Sequence, residues 1–513
     1  MTHFCPHYPP PSPTRPSPWR MFFSKRRSWL DALYERSYTM KMGEVHLPGV
    51  DLYMVNEPAL VRQVLVDEAL ATFPKHPMLG DALRPLLGDS IFTTNGDTWK
   101  RQRRLMDPSF EAARVKRVYG RMRDAARAMS QRLAALPAGT VHDVEVEMTH
   151  VAADIILRTI LSTPLDGEGA RAIFDAFARY QELAPRLMMP SFFGLRWLRP
   201  WWQVRRSRAA AAEIRSLLVA LIGPRVEAAR RQEAQEGTSG SGDPAEGPDD
   251  ILASLLRVRD PATGEGFTFE ELVDQVAMLF LAGHETSASA MSWALHLLAN
   301  SPDVQDRLHA EAVAHLDLDD DDPGLLRDLP LARNVFREVL RLFPPVGFLA
   351  RQCTRDRLMR DKRVRAGASV IVSPWLIQRH RGLWARPDAF DPDRYAAGGE
   401  DEGLGAVTGS GRNGRSGEGD AVPDVPSAAE SLRQAYLPFG MGPRVCIGAA
   451  FALQEATLLL AVLARDFRFE PLPGDVPEPV GRLTIRAERG IRLRVFRRRA
   501  AASGDQAVAR EAA

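Results

Sequence analysis

Cysteine is scarce in this chain: there are three in 513 residues, Cys5, Cys353 and Cys446. Three thiols cannot complete a four-cysteine zinc or iron–sulfur centre. So few in so long a chain make no disulfide framework, which points to a reducing compartment. Net charge is scarce too. Lys plus Arg number 67 and Asp plus Glu 65, leaving +2, which argues against wholesale nucleic-acid binding, where a strongly basic domain is the rule. No apolar run reaches the roughly 18 residues a membrane-spanning helix needs, and the proline-rich opening MTHFCPHYPPPSPTRPSPWR lacks the basic-then-apolar order of a secretion signal. These absences predict a cytoplasmic protein with no nucleic-acid partner and no transmembrane segment.

What is present, 45% hydrophobic and 26% charged residues, is the balance of an ordered protein. Residues 1–42 read as a proline-rich tail and leader, extended and poorly packed as far as about Arg20. Met21 to Arg27, apolar and basic together, reads as a short amphipathic leader or a segment that grazes a membrane. Residues 43–499 read as one large domain, with a strand pair around Pro48-Gly49, a helix capped by Asn56 with Pro58 in its first turn, and a largely helical stretch from Phe110 to Ile222 that Gly223-Pro224 interrupts. Two Gly-, Ser- and acid-rich insertions, 232–250 and 396–430, cannot bury enough apolar surface to offset their ordering entropy and are expected to be flexible. Leu483, Ile485 and Ala487, then Ile491, Leu493 and Val495, alternate about Arg489-Gly490 as a hairpin. Residues 500–513 form a loose tail. The fold class expected is mainly α with small β-sheets.

Four segments carry chemistry. In Phe439-Gly-Met-Gly-Pro-Arg-Val-Cys-Ile-Gly448 a cysteine sits among glycines that permit close backbone approach, just before a strongly helical run. The positive end of that helix favours the thiolate of Cys446, as nucleophile or metal ligand; a buried structural cysteine in a tight turn is the alternative. Thr268 and Glu271 form a capping box opening a long helix that Asn300-Ser301-Pro302 ends. Its apolar middle is broken by Ala282-Gly283-His284-Glu285-Thr286, where a glycine disfavoured by about 1 kcal/mol implies that something needs the room; otherwise Glu285 and His284 are a solvated face and Thr286 bonds its own helix. Glu338 and Arg341 share a helical face, as a buried network or a common surface pair. Trp99 and Arg103, four apart, offer an indole N–H and a guanidinium to an anion, or are simply a basic helix anchored by one tryptophan.

In this order the segments resemble the cytochrome P450 family of haem-thiolate monooxygenases. Phe439, Gly440, Gly442, Arg444, Cys446 and Gly448 match its haem loop, Ala282-Gly283-x-Glu285-Thr286 its oxygen-binding helix, Glu338-x-x-Arg341 its buried network and Trp99-x-x-x-Arg103 its propionate helix. Phe390-Asp391-Pro392-Asp393-Arg394-Tyr395 resembles the segment whose arginine joins that network, with Tyr395 where Phe is usual. The resemblance spans about Gly43 to Phe496. It implies a single large domain around buried haem b, iron protoporphyrin IX, with Cys446 as axial ligand to the iron and Arg444, Trp99, Arg103 and Arg351 holding the propionates. Gly283 would leave space for dioxygen, and Thr286 with Glu285 would organise proton delivery.

The activity so implied is insertion of one oxygen atom from dioxygen into an apolar small molecule. Only 67 residues follow Cys446 (513 − 446), and no Gly-rich dinucleotide fingerprint opens a helix. A separate ferredoxin or flavodoxin-type donor with its reductase is therefore expected, with Lys100, Arg101 and Arg104 as a basic docking patch or an ordinary solvated face. Phe348, Leu349 and the segment Met78 to Ile91 would line the pocket. Met188 to Trp202 reads as a lid, as interhelix packing or as a membrane contact. The rival readings are a peroxide-using or rearranging haem-thiolate enzyme, a non-catalytic haem sensor or carrier, and a cysteine hydrolase for which no local signature pairs Cys446 with His296, His309 or His380.

Overall fold

The computed structural model describes residues 3–16, 28–47, 49–166, 169–192, 200–236, 248–396 and 428–498. Among these, helices of eight or more residues are α1 Pro77–Leu87, α2 Gly96–Met106, α3 Tyr119–Ala134, α4 Val144–Leu161, α5 Ala170–Phe192, α6 Trp201–Glu236, α7 Phe269–Ala299, α8 Pro302–His315, α9 Pro330–Leu342, α10 Ala428–Ala435 and α11 Ala449–Asp466. The expected class, mainly α with small sheets, is the one observed.

The axis of the molecule is α7. Thr268 caps it: its hydroxyl accepts from Glu271 N–H at 3.2 Å while the Glu271 carboxylate accepts from Thr268 N–H at 2.9 Å. Asn300 ends it, and Pro302, lacking an N–H that the first turn cannot use, opens α8. Nearly every α7 side chain is buried, as suits a helix that is apolar around most of its circumference. It packs along α4, and α11 packs beneath against α3, α8 and α9.

Strands are short and peripheral. One sheet runs β1 (Met42–Leu47), β2 (Val50–Val55), β7 (Ser369–Val372), β4 (Leu349–Gln352), with β2 and β7 parallel. A second runs β3 (Thr140–Asp143), β11 (Arg492–Arg497), β8 (Phe467–Pro471). Two ribbons complete the set: β5 (Arg357–Met359) with β6 (Lys362–Val364), and β9 (Pro479–Gly481) with β10 (Ile485–Ala487). The strand pair expected near Pro48-Gly49 is present, from Met42 opposite Val55 to Leu47 opposite Val50.

Several local expectations change. The helix after Asn56 is capped one residue later, at Glu57, because the Asn56 side-chain amide donates instead to the Ser37 carbonyl at 3.1 Å. Gly223-Pro224 does not end its helix. Pro224 lies inside α6 with Ile222 and Val226 buried around it, and that packing outweighs the one backbone bond a proline removes. The expected terminal hairpin is not formed. β10 pairs with β9 while β11 joins β3 and β8, because the alternation fixes faces but not partners.

The insertion 232–250 is narrower than expected, since residues to Glu236 continue α6 and Asp250 is buried. Asp250 accepts two bonds from Arg225 and caps the short helix Ile251–Arg257 through Ala253 N–H. The remaining core of that insertion, most of 396–430, the leader Met21–Arg27 and the tail 500–513 lie outside the described residues. So do 193–199 within the Met188 to Trp202 segment, of which Trp201 and Trp202 are exposed at the start of α6.

Candidate active site

The loop before α11 is shaped by glycine. Gly440 and Gly442 both have φ +73°, and a Cβ on Gly442 would strike the Leu65 carbonyl oxygen, so no other residue fits there. The loop closes on itself through Val445 N–H to the Gly442 carbonyl at 3.0 Å and Cys446 N–H to the Phe439 carbonyl at 2.9 Å. Gly448 is the N-cap of α11. Cys446 is free and exposed as a residue, yet burial by the surrounding protein pushes its thiol up, against the Gly448 N–H and the Arg103 charge that pull it down. The helix end therefore does not prevail as the sequence suggests, since desolvation is the larger effect. A free but desolvated thiol suits metal ligation, because a coordinated metal ion deprotonates a thiol outright.

Around this loop gather cations that lack anions. The Arg444 guanidinium stands 4.3 Å above the Trp99 ring. Arg444 Nε and Nη1 and Arg351 Nε are buried with no partner. Burial pushes both guanidiniums down to about 10, with Arg444 adding to the effect at Arg351. Lys75 completes the group and is absent from the sequence reading. It donates to the carbonyls of Ile91 at 2.6 Å and Phe92 at 2.9 Å. Burial, then Arg444 and Arg351, hold its ammonium well below the usual range. Its only sequence signal is a lysine close to two prolines, Pro74 and Pro77.

Arg103 differs from expectation. It donates to the Val445 carbonyl at 2.7 Å and to Asp107 at 2.6 Å, so it braces the cysteine loop from α2 and does not stand with the unpaired cations.

On α7, Ala282, Gly283 and Thr286 are partly exposed while His284, Glu285 and Ser287 are buried. The Thr286 hydroxyl donates to the Ala282 carbonyl at 2.6 Å, the back-bond available to any helical threonine. Gly283 also serves the packing of two helices. A Cβ there would overlap Ile156 Cδ1 of α4, so its missing side chain lets α4 and α7 approach. Glu285 accepts from Thr484 Oγ1 at 2.8 Å and from the Gln181 amide of α5 at 3.1 Å. Burial pushes the His284 imidazole down to about 4, and its Nδ1 lies 2.6 Å from the Phe280 carbonyl.

The Glu338 network is fully formed. Arg341 grips the carboxylate through Nε at 2.9 Å and Nη2 at 2.8 Å, Arg394 donates at 3.1 Å and Asp391 N–H at 3.0 Å. The Tyr395 hydroxyl adds a bond at 3.0 Å, which a phenylalanine cannot make. Burial pushes Glu338 up, but the two arginines more than offset it and hold it below the usual carboxylate range. Arg341 also donates to the Gln378 carbonyl at 3.0 Å, and Gln378 Oε1 accepts from Leu437 N–H at 2.7 Å. The network thereby reaches the start of the cysteine loop.

The family model for Cytochrome P450 matches residues 9–493. The chain belongs to the cytochrome P450 family. It is 30% identical to cyclooctatin synthase of Streptomyces melanosporofaciens, over 86% of each chain. It is also 30% identical to pentalenene oxygenase of Streptomyces avermitilis, over 89% of this chain and 90% of that one. The fold is that of the cytochrome P450DA heme domain, with a TM-score of 0.73 at 22% identity, covering 97% of this chain and 99% of that one.

As a cytochrome P450 the chain is implied to take haem, and its residues fit one. Buried guanidinium donors without partners are what a group carrying carboxylates would satisfy, and Cys446 would supply the sulfur. Lys100, Arg101 and Arg104 do not make a bare basic patch. They pair with Asp97, Glu271 and Asp260 at 2.9, 2.7 and 2.9 Å, so their charges are largely cancelled locally. No helix among the described residues is long and apolar enough to cross a membrane.

Proposed function

We propose that this cytochrome P450 is a monooxygenase that inserts one atom of dioxygen into an apolar organic substrate and releases the other as water. The observation that carries this reading is Cys446, accessible on its glycine loop, beside Arg351 and Arg444 with buried donors that have no partner. Bound haem b, iron protoporphyrin IX, would supply the dioxygen chemistry, with Cys446 as its sulfur ligand.

The chain's own contribution is to hold that group and to manage protons. Cys446 is the metal ligand. Arg351, Arg444 and Lys75 take the propionates through charge-assisted bonds, with Trp99 stacked under Arg444. Phe439, Gly440 and Gly448 fix the loop path, and Arg103 braces it. Glu285 and Thr286 hold and move protons on the distal side.

Electrons come from a separate ferredoxin or flavodoxin-type donor with its reductase. Residues 9–493 all belong to the family match, and no dinucleotide fingerprint lies within them. Phe348, Leu349 and α1 line the substrate pocket. One relative at 30% identity is named cyclooctat-9-en-7-ol 5-monooxygenase and another pentalenene oxygenase, which favours an apolar cyclic substrate of that kind. The three free cysteines suit a reducing cytoplasm.

The deciding experiment is the absorption spectrum of the reduced holoprotein under carbon monoxide. The band of a thiolate-ligated haem is expected, and Cys446→His should abolish it while keeping haem. A band unchanged by that substitution would refute the ligand assignment.

A further inference from the structure

Glu285 shares its nearest cation with a second carboxylate. Arg486 Nη1 donates to Glu145 Oε1 at 3.1 Å, while its Nε stops 3.9 Å from Glu285 Oε1, beyond hydrogen-bond reach. Arg486 Nε and Nη2 are buried and bonded to nothing. An arginine with spare buried donors beside a carboxylate is expected to close such a gap, since unmet donors are unfavourable. Glu145 is what anchors it. That residue lies in the first turn of α4, its N–H bonded at 3.0 Å to Asp143, the same carboxylate oxygen that accepts from Ile491 N–H at 3.2 Å.

We propose that Glu145 is a positioning residue for proton delivery: by holding Arg486 it keeps the guanidinium off Glu285, which stays able to take up and release a proton. This rests on the reading above, in which Glu285 serves the distal side. The bonds Glu285 does accept come from neutral donors, the Thr484 hydroxyl and the Gln181 amide. These orient the group through weaker bonds than a guanidinium makes. A direct guanidinium bond would instead pin it as the anion, and a pinned anion delivers nothing. The other titratable groups beside the trio are Asp143, which raises Glu145, and His284 on α7, kept neutral by burial. Neither replaces Arg486 as the cation that Glu145 and Glu285 share.

The test uses holoenzyme of four variants, each first checked for an intact reduced carbon monoxide band. The primary readout is the protonated-carboxyl C=O stretch, titrated with pH by infrared difference spectroscopy. Glu285→Gln identifies the band by removing it. Glu145→Gln should free Arg486 to close on Glu285 and move the titration midpoint down by about one pH unit, a tenfold change in proton affinity. Arg486→Gln should move it up by a similar amount. Glu145→Asp, which retains the anchor, should leave it near the parent.

With a plant-type ferredoxin and its reductase, the share of electrons lost as hydrogen peroxide should rise severalfold in Glu145→Gln. A merely structural role would shift both outer variants in one direction. Equal midpoints in Glu145→Gln and parent, or movement of Glu145→Gln and Arg486→Gln the same way, overturns the proposal. If Glu285→Gln leaves the peroxide share at the parent level, it is the underlying role of Glu285 that fails instead.

Discussion

Beside Ser287, on the helix that carries Glu285 and Thr286, a carboxyl is buried with half its bonding capacity unused. Glu455 Oε2 accepts from Ser287 Oγ at 2.7 Å, Oε1 has no partner, and burial pushes the group from 4.5 to about 8. The folded protein therefore holds a proton that the unfolded chain releases, so stability falls as pH rises from about 4.5 to about 8 and levels off above. Glu455→Gln keeps the serine bond and removes the titration. Urea melts should show this variant more stable than the parent at pH 8, by on the order of 4 kcal/mol, with the difference vanishing near pH 4.

Glu338 works with the opposite sign. Its depressed pKa adds stability at neutral pH that is lost as pH falls through the folded value. At this scale the sequence is partly legible. The three-residue spacing of Glu338 and Arg341 announces a pair on one face, and it is one. The same logic at Trp99 and Arg103 gives the shared face but not the acceptor, because the Val445 carbonyl arrives from a segment 342 residues away. Nothing local announces Lys75, whose role depends on charges brought in by two other elements.

Helices α4 and α7 meet where a side chain is missing. Gly283→Ala would place a methyl group against Ile156, and overpacking of this kind costs about 1–3 kcal/mol. Thermal unfolding should register that loss, and Ile156→Val, which removes the obstructing Cδ1, should restore part of it in the double variant; independent, additive losses would show that the two residues do not meet. Element limits set by local chemistry were readable in advance. The Thr268 and Glu271 box and the Asn300-Ser301-Pro302 stop place both ends of α7, since caps act within one turn. Pairing was readable across the tight Pro48-Gly49 turn but not near the carboxyl end. β10 and β11 carry the alternation of a hairpin, yet β10 folds back on β9 just before it while β11 is claimed by β3 and β8 from farther off, which is why the local pattern alone misassigns them.

Across the whole molecule, the amino-terminal segment packs where its prolines suggest a loose tail. Phe4 lies edge-on to His296 at 6.0 Å, and its carbonyl accepts from Phe390 N–H at 2.8 Å. Tyr8 covers Arg379, whose guanidinium sits 5.3 Å from that ring and 3.8 Å from Trp375. Arg379 is fully buried with none of its three nitrogens bonded, and burial pushes it down to about 10. Aromatic faces are thus its principal stabilisation. Tyr8→Ala should lower stability by about 1–2 kcal/mol, and hydrogen exchange should quicken in residues 374–380; exchange unchanged there would mean the segment is dispensable. Composition could not reveal this, because two or three rings are enough to dock a stretch that is otherwise proline.

If Lys75, Arg351 and Arg444, crowded together around the cysteine loop, take the rim acids as proposed, they would also govern which pigment the polypeptide accepts. Like charges at close quarters repel until something doubly negative arrives, so a macrocycle with free rim acids would relieve that tension, whereas its methyl ester would leave it standing and be turned away.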